Sequence, residues 1–328
     1  MPVKKYEVMH YSPDLKEDWG RVLQEATNAT LMHERDFLAY HSSGKFQDCS
    51  VILYNKNKPV AVFAAHREGE FVHSHKGLSY AGFIHVPGTF DQKLEQFKTL
   101  MQYFESLGVS HLQIKETPTF YNSLQEEAMA YILHLTKAKT TQMELSLTIE
   151  LPLEVKNKGK KANIKQAGRQ NLKITESNEV KSFWDTLLVP NLQNRYQTRP
   201  THSYEEMTFL VEKFPDKIRQ FNVFQDERMV AGATVYFSKN CIHTQYLASN
   251  STGRELHALD ALVNHLANTF TGKYSFLDFG HSNENQGLMI NKGLFKWKEN
   301  FGAKPYIHRH YKVPVESWRN LDRVYKEV

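Results

Sequence analysis

A mixed α/β fold in two similar domains is what this sequence predicts. Three observations carry the prediction: a length of 328 residues, an order of three strands, a helix and a strand that occurs twice, and residue pairs that recur at constant spacing inside the two copies. A chain of this length exceeds what one compact core usually organises, so two cores are expected.

The first copy opens on the apolar run Cys49 to Tyr54, the polar turn Asn55-Lys56-Asn57-Lys58 and the run Pro59 to Ala65, which together read as a β-hairpin. A second turn, Arg67-Glu68-Gly69-Glu70, leads into Phe71-Val72-His73-Ser74-His75 and a Gly-rich stretch through Gly77 and Gly82. An amphipathic helix from Gln92 to Leu107 and the strand His111 to Lys115 complete the copy. The second copy runs Ile218 to Phe224, the turn Gln225 to Arg228, Met229 to Phe237, the turn Ser238-Lys239-Asn240, Cys241 to Ala248, a helix from Gly253 to Phe270, and Tyr274 to Phe279. Val60-Ala61 recurs as Val230-Ala231, and Val72-His73-Ser74-His75 as Ile242-His243-Thr244-Gln245, at one shared spacing. Upstream, Trp19 and Trp184 each open an apolar helical segment at a slightly shorter spacing. The boundary is expected near residue 157, in the Lys/Gly run after Pro152, giving domains 1–157 and 158–328.

Composition excludes several classes. Hydrophobic residues at 41% and charged residues at 23% are globular values, so no long disordered tract is expected. Met1 to Tyr11 lacks an apolar signal core, and no run approaches the roughly 20 apolar residues of a membrane span, so a cytoplasmic protein is expected. Cys49 and Cys241 lie in apolar runs without metal-ligand spacing, and no metal site is expected. Part of the net charge of +5 is concentrated in Lys156, Lys158, Lys160, Lys161, Lys165, Arg169 and Lys173, which reads either as a solvated helix face or as a dock for a polyanion.

Several stretches together resemble the FemAB-like branch of the GNAT acyltransferases, whose members contain two tandem GNAT-type domains. In the first half these are Arg35 to His41, Phe46-Gln47-Asp48, Ser74 to Gly82 and Ile114 to Tyr121. In the second half they are Pro200 to Ser203, His243 to Ser249, Ala258-Leu259-Asp260, Asp278 to Glu284, Asn291 to Leu294 and Lys298 to Ala303. The resemblance implies a splayed sheet whose backbone N–H groups hold a thioester carbonyl, with a helix N-terminus beside it for a CoA pyrophosphate. It implies acetyl-CoA or another acyl-CoA as co-substrate and a small polar acceptor, such as an amino sugar or amino acid of the cell envelope. The same resemblance covers Fem-type peptidoglycan ligases that use aminoacyl-tRNA; no DNA partner follows from it.

On that frame the donor residues are Gln245, Tyr246, Ser249, Ser251, Thr252, Gly253 and Arg254, although Ser251-Thr252-Gly253 reads equally as a helix cap. For proton removal, His73, His75, His202, His243 and His281 qualify by type, and His75 and His202 stand out because they lie in loops beside Gly or Pro. Strand alternation puts His243 and Gln245 on one face and Thr244 and Tyr246 on the other. Asp278, at a strand end, is expected to orient a nucleophile, to hold a base in its tautomer, or to cap or pair locally. Acceptor contacts are expected from Tyr80, Lys115 and Tyr121 in the first half and from Ser282, Asn283, Asn291 and Lys298 in the second, Lys298 lying in a terminal hairpin. Three functions follow: acyl-CoA acyltransferase, aminoacyl-tRNA-dependent ligase, or a ligand-binding protein without catalysis.

Overall fold

A computed structural model describes residues 5–40 and 44–325. Met1 to Lys4 of the leader reading and His41 of the first resemblance stretch lie outside the described residues. The chain forms two units, one from the described residues of 1–144 and 307–328, the other from 145–306.

The second unit is the simpler. Its strands run in the order Leu172–Ser177, Ile218–Gln225, Arg228–Phe237, Cys241–Ser249 and Phe276–His281, followed by the later part of Lys139–Glu150. Every neighbouring pair is antiparallel except Cys241–Ser249 with Phe276–His281. The helix Ala258–Phe270 lays Leu262, Val263 and Leu266, all fully buried, against Val235, Ile242 and Leu277 of the sheet. Each such side chain contributes about 1.5–3 kcal/mol through burial.

In the first unit, Glu7–His10, Val51–Asn55, Lys58–Phe63 and Phe83–His85 form an antiparallel sheet. A second set runs Gln47–Asp48, His66–Glu68, Phe71–His73 and His111–Lys115, ending on residues 310–314 of the strand Lys304–Pro314. The helix Phe90–Ser106, opened by a Thr89/Gln92 capping box, buries Phe97, Leu100, Met101 and Phe104 in the core.

The repeat read from the sequence is written in the strand ladders. Ala61 pairs with His85 as Ala231 pairs with Ser249, and His66 pairs with His73 as Tyr236 pairs with His243. The parallel neighbours His73 and Gln113 match His243 and Asp278. One difference matters for function: the strand equivalent to Cys241–Ser249 is cut into Phe71–His73 and Phe83–His85 by the Gly-rich stretch 74–82.

Two expectations are corrected here. The division near residue 157 moves to 144/145, and the C-terminal segment returns to the first unit rather than staying with the second. The reason is pairing: Val313 lies opposite Leu112 in the ladder, Trp318 Nε1 donates to Glu105 Oε2 at 2.7 Å, and Arg319 bridges to the same carboxylate at 2.7 Å. The helix expected over Gly253 to Phe270 is two helices, Ser251–Glu255 and Ala258–Phe270, because His257 turns left-handed at φ 53°. Among the described residues, no helix is long and apolar enough to cross a membrane.

Candidate active site

In the second unit the parallel pairing of the two central strands is short. It covers Cys241–His243 against Phe276–Asp278 and then stops, so the strands part at His243 and Asp278. At that point His243 Nδ1 lies 2.7 Å from Asp278 Oδ2. The other oxygen, Oδ1, accepts from Ser146 Oγ at 2.7 Å, Thr148 Oγ1 at 3.1 Å and the Gly280 N–H at 2.9 Å. Asp278 is 2% exposed, and burial alone would raise its pKa; the hydrogen bond and charge of His243, with Ser146 and Gly280, overcome this and bring it down to about 2. The carboxylate is therefore ionised and holds the imidazole proton on Nδ1, which leaves Nε2 as the basic nitrogen. With its side chain 16% exposed, His243 remains reachable from solvent. Gly280 adopts φ +69°, and a Cβ there would stand 3.3 Å from His243 Cε1, so a larger residue would both strain the backbone and press on the ring.

A bulge decides which side chains join His243. The ladder to Arg228–Phe237 skips Gln245, pairing Thr244 with Val235 and Tyr246 with Thr234. One extra residue flips the later side chains to the other face, so the expected alternation holds only as far as Thr244. Ile242 and Leu247 both pack into the core beneath Ala258–Phe270, while His243 approaches Tyr236, with ring centroids 6.3 Å apart, and Tyr246 packs edge-on against Trp184 at 5.0 Å. Tyr246 also meets His202: its hydroxyl lies 2.7 Å from His202 Nδ1 and accepts the His202 N–H at 3.2 Å. His202 is thus buried and held at Nδ1 by a tyrosine. Gln245 Oε1 and Ser282 Oγ are buried with no hydrogen-bond partner among the described residues, a state that a bound ligand would relieve.

The loop after Phe276–His281 gathers the expected acceptor residues. Asn283 Oδ1 accepts the Leu145 N–H at 2.7 Å, and its Nδ2 donates to Gly287 O at 3.1 Å. Asn291 caps the helix Lys292–Glu299 through Leu294 N at 3.1 Å and donates to Glu284 at 3.0 Å. Lys298 belongs to that helix, not to a terminal hairpin, because the Asn291 cap starts a helix that runs through Glu299. Its ammonium donates to Gly280 O and His281 O, both at 2.9 Å. Burial lowers its pKa to about 8, against the opposing pull of Asp278.

The turn expected to hold a pyrophosphate is occupied by its own contacts. The Asn250 side chain accepts the Gly253 N–H at 2.8 Å, and the Arg254 guanidinium donates back to Ser249 O at 3.0 Å. A Cβ on Gly253 would fall 2.1 Å from Val230 O, so glycine is required there for close packing on the neighbouring strand. Ser251 and Thr252 are exposed in the first turn of the five-residue helix. The basic run divides likewise: Lys160 is buried, 2.8 Å from Asp260 and 4.2 Å above the Phe301 ring, so it is neither a solvated face nor a free docking cation.

No protein-family model and no curated protein matches the chain. Solved structures do. A structure described as FemX aligns over 96% of this chain and 99% of its own at 10% identity, with a TM-score of 0.68. The fold is the FemAB-like tandem GNAT fold. A lysylphosphatidylglycerol synthetase from Bacillus licheniformis (13% identity, TM-score 0.58, covering 96% of this chain and 98% of that one) shares it. So does a tandem GNAT protein from the clavulanic acid biosynthesis pathway (9% identity, TM-score 0.53, covering 94% and 98%). Within this fold the parted strands of the second unit carry the His243–Asp278 pair.

The first GNAT-like unit differs. Its strand gap is filled by the 74–82 stretch: Ser74 N–H and Ala81 N–H donate to Gln113 O and Lys115 O, and Thr117 Oγ1 donates to Ala81 O. Lys115, expected to meet an acceptor, instead gives its ammonium to Leu78 O at 2.7 Å and Lys76 O at 3.1 Å, and burial lowers its pKa. Tyr80 and Tyr121 are buried ring neighbours at 4.8 Å. His75, left-handed at φ 69°, packs on Phe46. Two groups with metal-ligating chemistry also occur here, His66 with Glu68 and His73, and Glu144 with His308 and His310. A hollow of about 40 Å³ bordered by His85, Glu116 and Glu126 lies in this unit, and one of about 470 Å³ bordered by Glu154, Lys156 and Lys304 lies in the other; neither includes the His243–Asp278 pair.

Ser146, Thr148 and Gly280 were missed by sequence reading. A signal was there: Leu145-Ser146-Leu147-Thr148-Ile149 alternates like a half-exposed strand, yet both hydroxyl residues are buried, Thr148 fully. Alternation reports two faces; it does not report that the polar face covers a carboxylate.

Proposed function

We propose that the protein transfers an acyl group from an activated carrier to an amine or hydroxyl, with His243 as general base and Asp278 as its positioning partner. The observation that supports this most is the place of the pair, where the two parallel strands part. There His243 Nε2 takes the proton of the acceptor as its nitrogen or oxygen attacks the carbonyl, and returns a proton to the departing thiolate or hydroxyl oxygen. Backbone N–H groups of the parted strand around the Gln245 bulge are the stabilisers for the carbonyl oxygen in this reading, and Gln245 Oε1 and Ser282 Oγ, unpartnered among the described residues, are the polar atoms assigned to the ligand. A base of this kind contributes about 10²–10⁴-fold. The donor in this reading is an acyl-CoA and the acceptor a small polar amine such as an amino sugar or amino acid.

A second donor, an aminoacyl-tRNA, is favoured by one observation: the Gly253 N–H and the Arg254 guanidinium are already engaged within the chain, which leaves the expected pyrophosphate cradle poorly provided. The test is a donor panel. Acyl-CoAs and charged tRNA are each incubated with mixed amine acceptors, and loss of the donor is followed for the native protein and for His243→Ala. Consumption by the native protein and at least a hundredfold loss in the variant is the expected result. Equal consumption by both proteins removes His243 from the mechanism, and no consumption of any donor removes the transfer itself.

A further inference from the structure

One hairpin of the first unit draws three ligating side chains to a point. His66 and Glu68 are alternate residues of the strand His66–Glu68, and so share a face, while His73 stands opposite His66 on the neighbouring strand. The two imidazoles stack with centroids 5.1 Å apart and planes 10° from parallel. Glu68 Oε1 lies 3.4 Å from His66 Nε2, and Oε2 lies 3.4 Å from His73 Nε2. One ligand atom from each of the three falls within 4.8 Å of the other two.

These spacings are long for charge-assisted hydrogen bonds, which run at about 2.7–2.9 Å. They are close to the roughly 3.3 Å that separates N and O ligands bound tetrahedrally at about 2.0–2.1 Å from one zinc ion. His66, 0% exposed, points its Nε2 into this point without a hydrogen bond among the described residues. The charge of Glu68 is met instead by the ammonium of Lys76. Burial lowers the pKa of both imidazoles, that of His66 to about 4. Glu68 and Lys76 are about half exposed, which leaves a way in.

We propose that His66, Glu68 and His73 form a binding site for a divalent transition metal of the zinc type, which displaces the Lys76 ammonium from Glu68. Two imidazoles and one carboxylate suit such an ion, whereas calcium and magnesium take oxygen ligands throughout. Three ligands leave a fourth position for water or another donor. Ligation through Nε2 also moves the His66 proton to Nδ1, which gives up the 3.4 Å contact from the Lys76 N–H. Metal binding thereby acts on both the side chain and the backbone of Lys76, within the stretch that fills the strand gap of this unit.

The full chain, stripped with a chelator, is dialysed to equilibrium against Zn²⁺, and its Co²⁺ form is read by visible absorption. One equivalent is expected, with affinity at least about tenfold weaker in Glu68→Gln and in His73→Ala, tighter in Lys76→Ala, and unchanged in His308→Ala at the other histidine group. Glu68 is on the surface, so its variant keeps the proposal testable if His73→Ala fails to fold. Absence of bound metal, binding that survives both ligand changes, or loss in His308→Ala instead would overturn the site.

Discussion

Replacing Asp278 by Asn changes one atom and tests the whole reading of the site. The carboxylate now accepts hydrogen bonds at both oxygens, from Ser146, Thr148 and Gly280 at Oδ1 and from His243 at Oδ2. An amide cannot reproduce them. With its NH₂ toward His243, the ring must accept at Nδ1 and carry its proton on Nε2, which removes the basic nitrogen. With its NH₂ toward Gly280, two donors face each other in a buried place, at a cost of about 1–3 kcal/mol. The first arrangement keeps more bonds, so the expected loss of transfer rate is on the order of 10³–10⁴-fold, the scale of a base held in the wrong tautomer. The carboxylate also contributes to stability. Its folded pKa of about 2 against a reference of 3.8 corresponds to about 2 kcal/mol. Since the folded value is the lower one, that contribution is fully present above about pH 4 and fades as pH falls toward 2, and in Asp278→Asn this acid-sensitive part is absent. Single-turnover donor loss, ¹⁵N NMR of the imidazole tautomer and urea unfolding between pH 2 and 6 measure these effects. A variant that keeps its rate within about twofold, or an unaltered acid limb of the stability curve, would refute the assignment.

Other outcomes follow from the same geometry. Lys160→Ala strands Asp260 in the interior and should cost about 3–5 kcal/mol in chemical denaturation, whereas Lys158→Ala in the same helix should stay within about 0.5 kcal/mol. Burial raises the Glu116 pKa to about 7 against the opposing charge of Arg309; because the folded form holds its proton more tightly, stability falls as pH rises from about 4.5 to 7. Glu116→Gln should therefore raise the melting temperature at pH 8 and lose that advantage below pH 4.5. Gly253→Ala places a methyl group 2.1 Å from Val230 O and should lower the melting temperature sharply, while Gly272→Ala, in open space at φ +82°, should cost only the backbone strain of a left-handed residue.

What the chain alone determined is its repeating architecture. Apolar runs, polar turns and the recurrence of Val60-Ala61 as Val230-Ala231 are local signals, and the ladders keep that register across both units. His243 and Asp278 were each legible as candidates, one as a strand histidine and the other as a strand-end acid. Their union was not, because a parallel pairing joins residues 35 positions apart through a crossover that no local pattern records. The bulge at Gln245 reversed the expected faces, and one skipped residue leaves no mark in composition. Lys160 read as one lysine among many, and only the placement of Asp260 and Phe301 around it made it part of the interior. Short-range hydrogen bonding and hydrophobic period are written residue by residue; which polar groups share a dry pocket, and so which acquire chemistry, depends on long-range packing that tertiary structure alone decides.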